Sequence, residues 1–249
     1  MTHFDPERYS RLVSPIHRWE PRARVLSLFV LIFSVALAES ILQAFAGLCI
    51  SFALILISRL PLAHVSRFMK WPALFLLPLV ILLPFTAGGD RLSAVPFFSL
   101  SSQGIQLGLL FLIRGLGAAL LALLIMSTAP FTATIRALQD LGLPSPLTQI
   151  FLFAYRYVFL LNEELLTMSH SMNCRGFVKR SDIKTARILA MAFAMLLIRS
   201  YERSEGVFNA MLSRGYQGEL TGSRRRKILN SDFIKSFLVV GAALGVHAL

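Results

Sequence analysis

Two stretches of this 249-residue chain end in the same short chemistry. Leu160–Phe177 reads LLNEELLTMSHSMNCRGF, and Arg199–Tyr216 reads RSYERSEGVFNAMLSRGY. Aligned without gaps at an offset of 39 residues, Glu163 matches Glu202, Met172 matches Met211, Arg175 matches Arg214 and Gly176 matches Gly215, with Phe177 opposite Tyr216. A glycine at this place fits the left-handed position just past a helix end, because it has no Cβ to clash there. The arginine before it stands at the negative end of the helix dipole, which favours a cation. A guanidinium presented this way enters an acidic pocket through paired hydrogen bonds, which an ammonium cannot form. Two of them on matched helix ends suit a partner with two equivalent sockets.

The other chemistry-bearing residues do not assemble into a reaction centre. No G-x-x-x-x-G-K-[ST] segment occurs to cradle phosphates, and no H-E-x-x-H or C-x-x-C is present. His3, His17, His64, His170 and His247 are scattered and read as surface or interface histidines. Cys49 lies in an apolar run and Cys174 in a polar stretch, so neither a disulfide framework nor a metal-ligand spacing is indicated. Glu163 and Glu164 are adjacent, so on a helix their side chains diverge; they read as helix-surface charges paired with Arg156 or with lysines. Arg114 stands apart as a structural charge inside an apolar run, where it is costly and must find helix carbonyls, a buried hydroxyl or a partner.

The elements that must position these residues belong to a membrane protein. Hydrophobic residues make up 55% of the chain and charged residues only 15%, against about 25% charged in a soluble domain. The net charge of +12 lies between long apolar runs, the pattern of membrane-flanking loops rather than of a nucleic-acid surface. The polar, proline-containing Met1–Arg24 does not read as a cleaved signal, so the first span directs insertion. Val25–Ala38 and Ile41–Ile57 form a helical hairpin with Glu39–Ser40 at its tip, because together they exceed the roughly 20 residues one crossing needs. Ala73–Ala87, with Pro78 and Pro84 as kink sites, is a third span; Gly104–Thr128 is a fourth and Phe233–Leu249 a shorter fifth.

Basic residues orient these spans. Arg8, Arg11, Arg18, Arg22 and Arg24 precede the first, and Arg59, Arg67 and Lys70 follow the second. Fourteen Lys or Arg residues lie in Ala129–Asn230, whereas the first hairpin tip has none and Thr86–Gln103 has only Arg91. Five spans put every basic segment on one side, which makes the N-terminus cytoplasmic and the C-terminus external. Within Ala129–Asn230, Leu147–Leu161 and Ile188–Ile198 are apolar but short for a crossing, and crossing would export Arg175, Lys179, Arg180, Lys184 and Arg187. They are read as two long helices at or below the cytoplasmic face; a further pair of spans is the rival reading. The run Arg224–Lys227 holds its end of the last span at anionic headgroups. The expected fold is thus an all-α membrane protein with about five transmembrane helices and two long cytoplasmic helices. Its expected organisation is 1–128 for the N-terminal segment and first four spans, 129–230 for the cytoplasmic helices, and 231–249 for the last span.

These motifs resemble a known family. Cys174-Arg175-Gly176 and Ser213-Arg214-Gly215 look like the two Ala-Arg-Gly-type motifs that end the coupling helices of the transmembrane (T) component of energy-coupling-factor (ECF) importers, in the cobalt or nickel branch called CbiQ. Small cysteine and serine replace the family's alanine. Ile16-His17-Arg18-Trp19-Glu20-Pro21-Arg22-Ala23-Arg24, Leu141-Gly142-Leu143-Pro144 and Ala154-Tyr155-Arg156-Tyr157-Val158-Phe159 also resemble it, and the Tyr-Arg-Tyr stretch favours the metal branch over the vitamin branch. The resemblance implies that two ABC-type ATPases grip the two arginine-tipped helices and that a separate membrane substrate-binding (S) subunit captures the ion. It further implies that ATP is used by the partners and that this chain, in the cell (inner) membrane, binds no cofactor. A vitamin importer's coupling subunit is the alternative within the family. A membrane-embedded enzyme is the alternative outside it, and for that no acid–base, nucleophile or metal constellation is visible.

Overall fold

The break between the first two apolar runs is written in local hydrogen bonds. Ser40 caps the second helix, accepting from Gln43 N while the Gln43 side chain accepts from the Ser40 backbone, a reciprocal box that satisfies two orphan donors. The first helix starts as sharply: Glu20 accepts from Arg22 N and Ala23 N, and Pro21 occupies the first turn where its missing N–H costs nothing. The structure is a computed structural model that describes residues 14–16, 19–86, 101–218 and 230–248. Among them are eight α-helices and no strand: α1 (Pro21–Ala36), α2 (Ile41–Ser58), α3 (Leu62–Thr86), α4 (Ser102–Thr128), α5 (Phe131–Asp140), α6 (Ser145–Cys174), α7 (Ile183–Leu212) and α8 (Asn230–Ala248). Of the residues singled out above, His3, His17, Arg8, Arg11, Arg18, Arg91 and Arg224–Lys227 lie outside the described residues.

The chain divides into two compact units, 1–141 with 225–249, and 142–224. The first unit holds α1–α5 and α8. Three of its helices, α2, α3 and α4, are long and apolar enough to cross a membrane; α1 and α8, the other two expected spans, pack with them. Leu28, Leu31 and Val35 of α1, Ile55 of α2, Leu121 and Leu124 of α4, and Val239 and Ala243 of α8 share one core. Outside that core the unit inverts the soluble pattern: Phe75 is 82% exposed and Val65 is the only buried residue of α3. A surface of this kind needs lipid around it.

Hydrogen bonds orient α1, α3, α4 and α8 in this unit, and the short turn at Glu39–Ser40 reverses α2 against α1. Arg24 Nη1 donates to the Thr128 carbonyl, joining the start of α1 to the end of α4. Ser101 N donates to the Pro84 carbonyl, joining the end of α3 to the start of α4. Lys235 of α8 reaches the Pro15 carbonyl, and Ser34 Oγ of α1 donates to the Ala243 carbonyl at 2.8 Å, so α8 runs parallel to α1. The starts of α1, α3 and α8 and the ends of α2 and α4 therefore share one side, with Arg22, Arg24, Arg59, Arg67, Lys70 and Lys235 near it. Helices α1, α2, α3, α4 and α8 thus alternate in direction within the unit.

Two boundaries differ from expectation. The third apolar helix begins at Leu62, not Ala73, and runs through Pro72, Pro78 and Pro84 as one element; His64, Arg67 and Lys70 lower the hydropathy of its first turns without breaking the helix. The segment following α4 also differs: α5 belongs to the first unit, tied to α1 by an ion pair from Arg22 to Asp140 at 2.7 Å. Helices α3 and α4 approach closely at Gly104. A Cβ on Gly104 would sit 2.6 Å from the Leu83 carbonyl and 2.7 Å from Pro84 Cα, so only glycine lets these backbones meet, as small residues do in membrane helix pairs.

The second unit is α6 and α7, of 30 residues each. Neither is among the helices apolar and long enough to cross. An ion pair from Arg199 to Glu164 joins their middles. At one end, Tyr216 Oη donates to Gln149 Oε1, and Gln149 Nε2 donates to the Gly218 carbonyl at 2.8 Å. The end of α7 thus lies at the start of α6, and the two helices are antiparallel.

Candidate functional site

The two repeated helix ends fold alike, bond for bond. At the first, Gly176 takes φ +78°, Gly176 N donates to the Asn173 carbonyl at 3.0 Å and Phe177 N to the Met172 carbonyl at 3.1 Å. At the second, Gly215 takes φ +80°, Gly215 N donates to the Leu212 carbonyl at 2.9 Å and Tyr216 N to the Met211 carbonyl at 3.0 Å. Each is a Schellman motif with glycine at its left-handed position. Burial repeats as well: Met172 and Met211 are half-buried, Phe177 and Tyr216 are half-buried, and Arg175 and Arg214 are exposed. Cys174 and Ser213 precede the arginines and are exposed too, with Cys174 a free thiol. A guanidinium fixed by a cap and left without a covering side chain is available to a partner's carboxylates.

Antiparallel pairing places these two arginines at opposite ends of the unit. A helix of 30 residues is about 45 Å long, so the unit presents two matched tips rather than one doubled patch. The offset of the repeat also organises the middle. The cavity there, of about 490 Å³, is lined by Leu160 with Arg199, Leu161 with Ser200 and Glu164 with Arg203, each pair separated by the repeat offset, and by Glu202. The repeat offset thus pairs positions of α6 and α7 around this cavity, as it pairs one tip with the other.

A family model described as cobalt transport protein, CbiQ, matches residues 13–225. The chain belongs to the CbiQ family. It is a membrane component of a transporter, and this family does not consist of enzymes. Similar proteins cover nearly its full length: an uncharacterized protein of Methanocaldococcus jannaschii, 26% identical over 96% of this chain and 84% of its own; the ECF transporter transmembrane protein EcfT of Bacillus selenitireducens, 25% identical over 93% and 92%; and EcfT of Bacillus subtilis, 26% identical over 95% of each.

In this CbiQ-family chain several polar residues take partners that the sequence did not announce. Glu164 pairs with Arg199 of α7, not with Arg156 or a lysine as its own-helix neighbours led us to expect. Gln149 clamps the second tip through Tyr216 and Gly218, a contact 67 and 69 residues distant that no local signal announces. In the first unit, Glu20 and Arg24 are each 2% exposed, Arg22 bridges Glu20 and Asp140, and Arg24 Nη1 reaches Ile16 and Thr128 carbonyls. Arg114 sits at the middle of α4, half-buried, with the Phe111 ring 5.9 Å from its guanidinium carbon. Its expected helix-carbonyl or hydroxyl acceptor is not found among the described residues.

Proposed function

We propose that this chain is the transmembrane coupling subunit of an ECF-type importer for cobalt or nickel. Two ABC-type ATPases hold the two tips, Arg175 against one and Arg214 against the other. Gly176 and Gly215 cap the helices so that each guanidinium is held in position, and closure of the ATPases moves α6 and α7. A separate membrane substrate-binding subunit receives that motion and releases the ion. ATP is spent by the partners, and this chain binds no cofactor. The chain is a multi-pass protein of the cell membrane with a cytoplasmic N-terminus, since the basic helix ends of the first unit gather on one side.

The observation that carries this reading is the pair of identical arginine-tipped caps at opposite ends of one antiparallel unit. An antiparallel unit with one matched plug at each end is the counterpart of a partner with two equal sockets. The test is assembly: the full chain, purified with its ATPases from native membranes, is compared with Arg175→Glu/Arg214→Glu. Loss of the ATPases from the double variant, with normal membrane insertion, is expected. Retention of the ATPases defeats the reading.

The cargo has a second reading. Several relatives of full length are named for the general ECF transporter rather than for cobalt, so a vitamin importer's coupling subunit is the alternative. Uptake of labelled cobalt and nickel, with and without the chain, separates the two.

A further inference from the structure

Arg114 is a charge that the described residues of its own unit do not satisfy. It lies 12 residues from the first residue of α4 and 14 from the last, about 18 and 21 Å at the rise of an α-helix, so its side chain cannot reach either end. Its Nε is buried with no acceptor, and no described residue gives its guanidinium a hydrogen bond or ion pair. The Phe111 ring lies 5.9 Å from its guanidinium carbon. A cation at mid-bilayer depth is expensive and in settled structures is paired.

Among the described residues of its unit, none offers a carboxylate at that depth. Helices α1 to α4 contain no Asp or Glu. Glu39, at the α1–α2 turn, lies beside Gln103 and Gln106, roughly 12 Å along α4 from Arg114. Asp232 is in the first turn of α8 and is buried. The same described helices in a second copy bring the same deficit. Headgroup phosphates are half a hydrocarbon core away, about 15 Å.

The face around Arg114 is open. Leu107, Phe111 and Arg114 are spaced i, i+4, i+7 and share one side of the helix, and Leu107 and Phe111 are each 41% exposed. The other sides of α4 are taken: Gly104, Gly108 and Gly115 meet α3, and Gly117 meets Val35 of α1 and Leu48 of α2.

We infer that the Leu107–Phe111–Arg114 face of α4 receives a transmembrane helix of a second, different membrane protein, which places an Asp or Glu at mid-bilayer depth against Arg114. The apolar pair supplies contact, and the ion pair fixes depth and selects the partner, because a helix without the acid leaves the charge uncompensated. The inference needs α4 to cross the bilayer and does not depend on ATPase coupling, which the Arg175 and Arg214 variants test separately.

The experiment puts a photo-crosslinking amino acid at Leu107 of the full chain in native membranes and locates the crosslinked residue by mass spectrometry. The expected crosslink falls within one helical turn of an Asp or Glu in the middle of another protein's membrane helix. Its yield drops at least about thirtyfold in Arg114→Leu, the scale of removing one partner of a buried pair, and Arg114→Lys retains most of it. Because Arg114→Leu makes α4 more apolar, insertion should survive; as a further check, Arg114→Glu combined with the partner's acid changed to Arg should restore the crosslink. Crosslinks to lipid, to a second copy or to a helix lacking a carboxylate overturn the inference, as does an unchanged yield in Arg114→Leu.

Discussion

Arg24 Nη1 donates to the Thr128 carbonyl over 3.1 Å, tying the first turn of α1 to the last residue of α4 across 104 residues of sequence. The bond does two jobs at once. It satisfies a carbonyl that the end of α4 leaves without an intrahelical donor, and it gives a buried guanidinium an acceptor. Arg24→Met should therefore lower the stability of the purified chain by about 2 kcal/mol, the scale of a charge-assisted hydrogen bond. Thr128→Val should cost less, because the bond uses the backbone and the Thr128 hydroxyl only turns back to the Leu124 carbonyl at 2.6 Å. Thermal unfolding in detergent compares the two; equal losses would mean that the Arg24 contact contributes nothing of its own.

Packing of α3 on α4 makes a sharper demand. With the Leu83 carbonyl 2.6 Å from where its Cβ would be, Gly104 has no room even for alanine. The obstacle is backbone, which no rotamer change can move. Gly104→Ala should cost about 1–3 kcal/mol, as overpacking does, and Gly104→Leu should separate the two helices. Disulfide crosslinking of cysteines placed at Leu83 and Gln103 reports that separation directly.

What could be read beforehand follows from the range of each interaction. The break at Glu39–Ser40 was legible because two polar residues interrupt an apolar run too long for one crossing, and the Ser40–Gln43 capping box that makes it lies within four residues of sequence. The helix ends at Gly176 and Gly215 were legible because a left-handed cap requires glycine, and the repeat showed both at once. The start of α3 was not, since hydropathy counts Arg67 and Lys70 against a helix that they merely begin. Helix α5 was hidden inside a longer basic segment, although Pro130 before it and Gly142 after it, at φ +118°, are ordinary helix punctuation. The antiparallel arrangement of α6 and α7, and with it the placement of the two arginines at opposite ends, rests on Gln149–Tyr216 and Glu164–Arg199. Those pairs join distant positions, and a single sequence carries no trace of them.

The start of α7 carries a pH-dependent cap. Asp182 Oδ1 accepts from Thr185 N at 2.7 Å, and this backbone bond, followed by one from the Thr185 side chain, holds the carboxyl below its usual value of 3.8. A carboxyl with a lowered folded-state pKa stabilises the helix above its unfolded value, and that contribution fades as pH falls through the folded value. Amide protection in the first turn of α7, at Thr185 and Ala186, should therefore be steady from neutral pH down to about pH 5 and decline below about pH 4. In Asp182→Asn the decline should vanish, because the amide oxygen accepts the same bond without titrating. A decline of equal size in Asp182→Asn would place the pH sensitivity elsewhere.

The two caps offer the most direct separation of helix geometry from arginine chemistry. A Cβ at Gly176 or Gly215 would meet nothing within 4 Å, so a substitution there is penalised only by its positive φ. Alanine should cost about 1 kcal/mol at each tip, asparagine less because it tolerates this conformation, and valine most because its branched Cβ does not. The order Asn, Ala, Val should appear both in trypsin cleavage after the exposed Arg175 or Arg214 and in retention of the ATPase partners. If cleavage follows that order while ATPase retention does not change, the caps shape the helix ends without positioning the guanidinium. If neither responds to Gly215→Val, the Gln149 clamp on Tyr216 holds that tip unaided, and Gln149→Ala in the same chain should then release it.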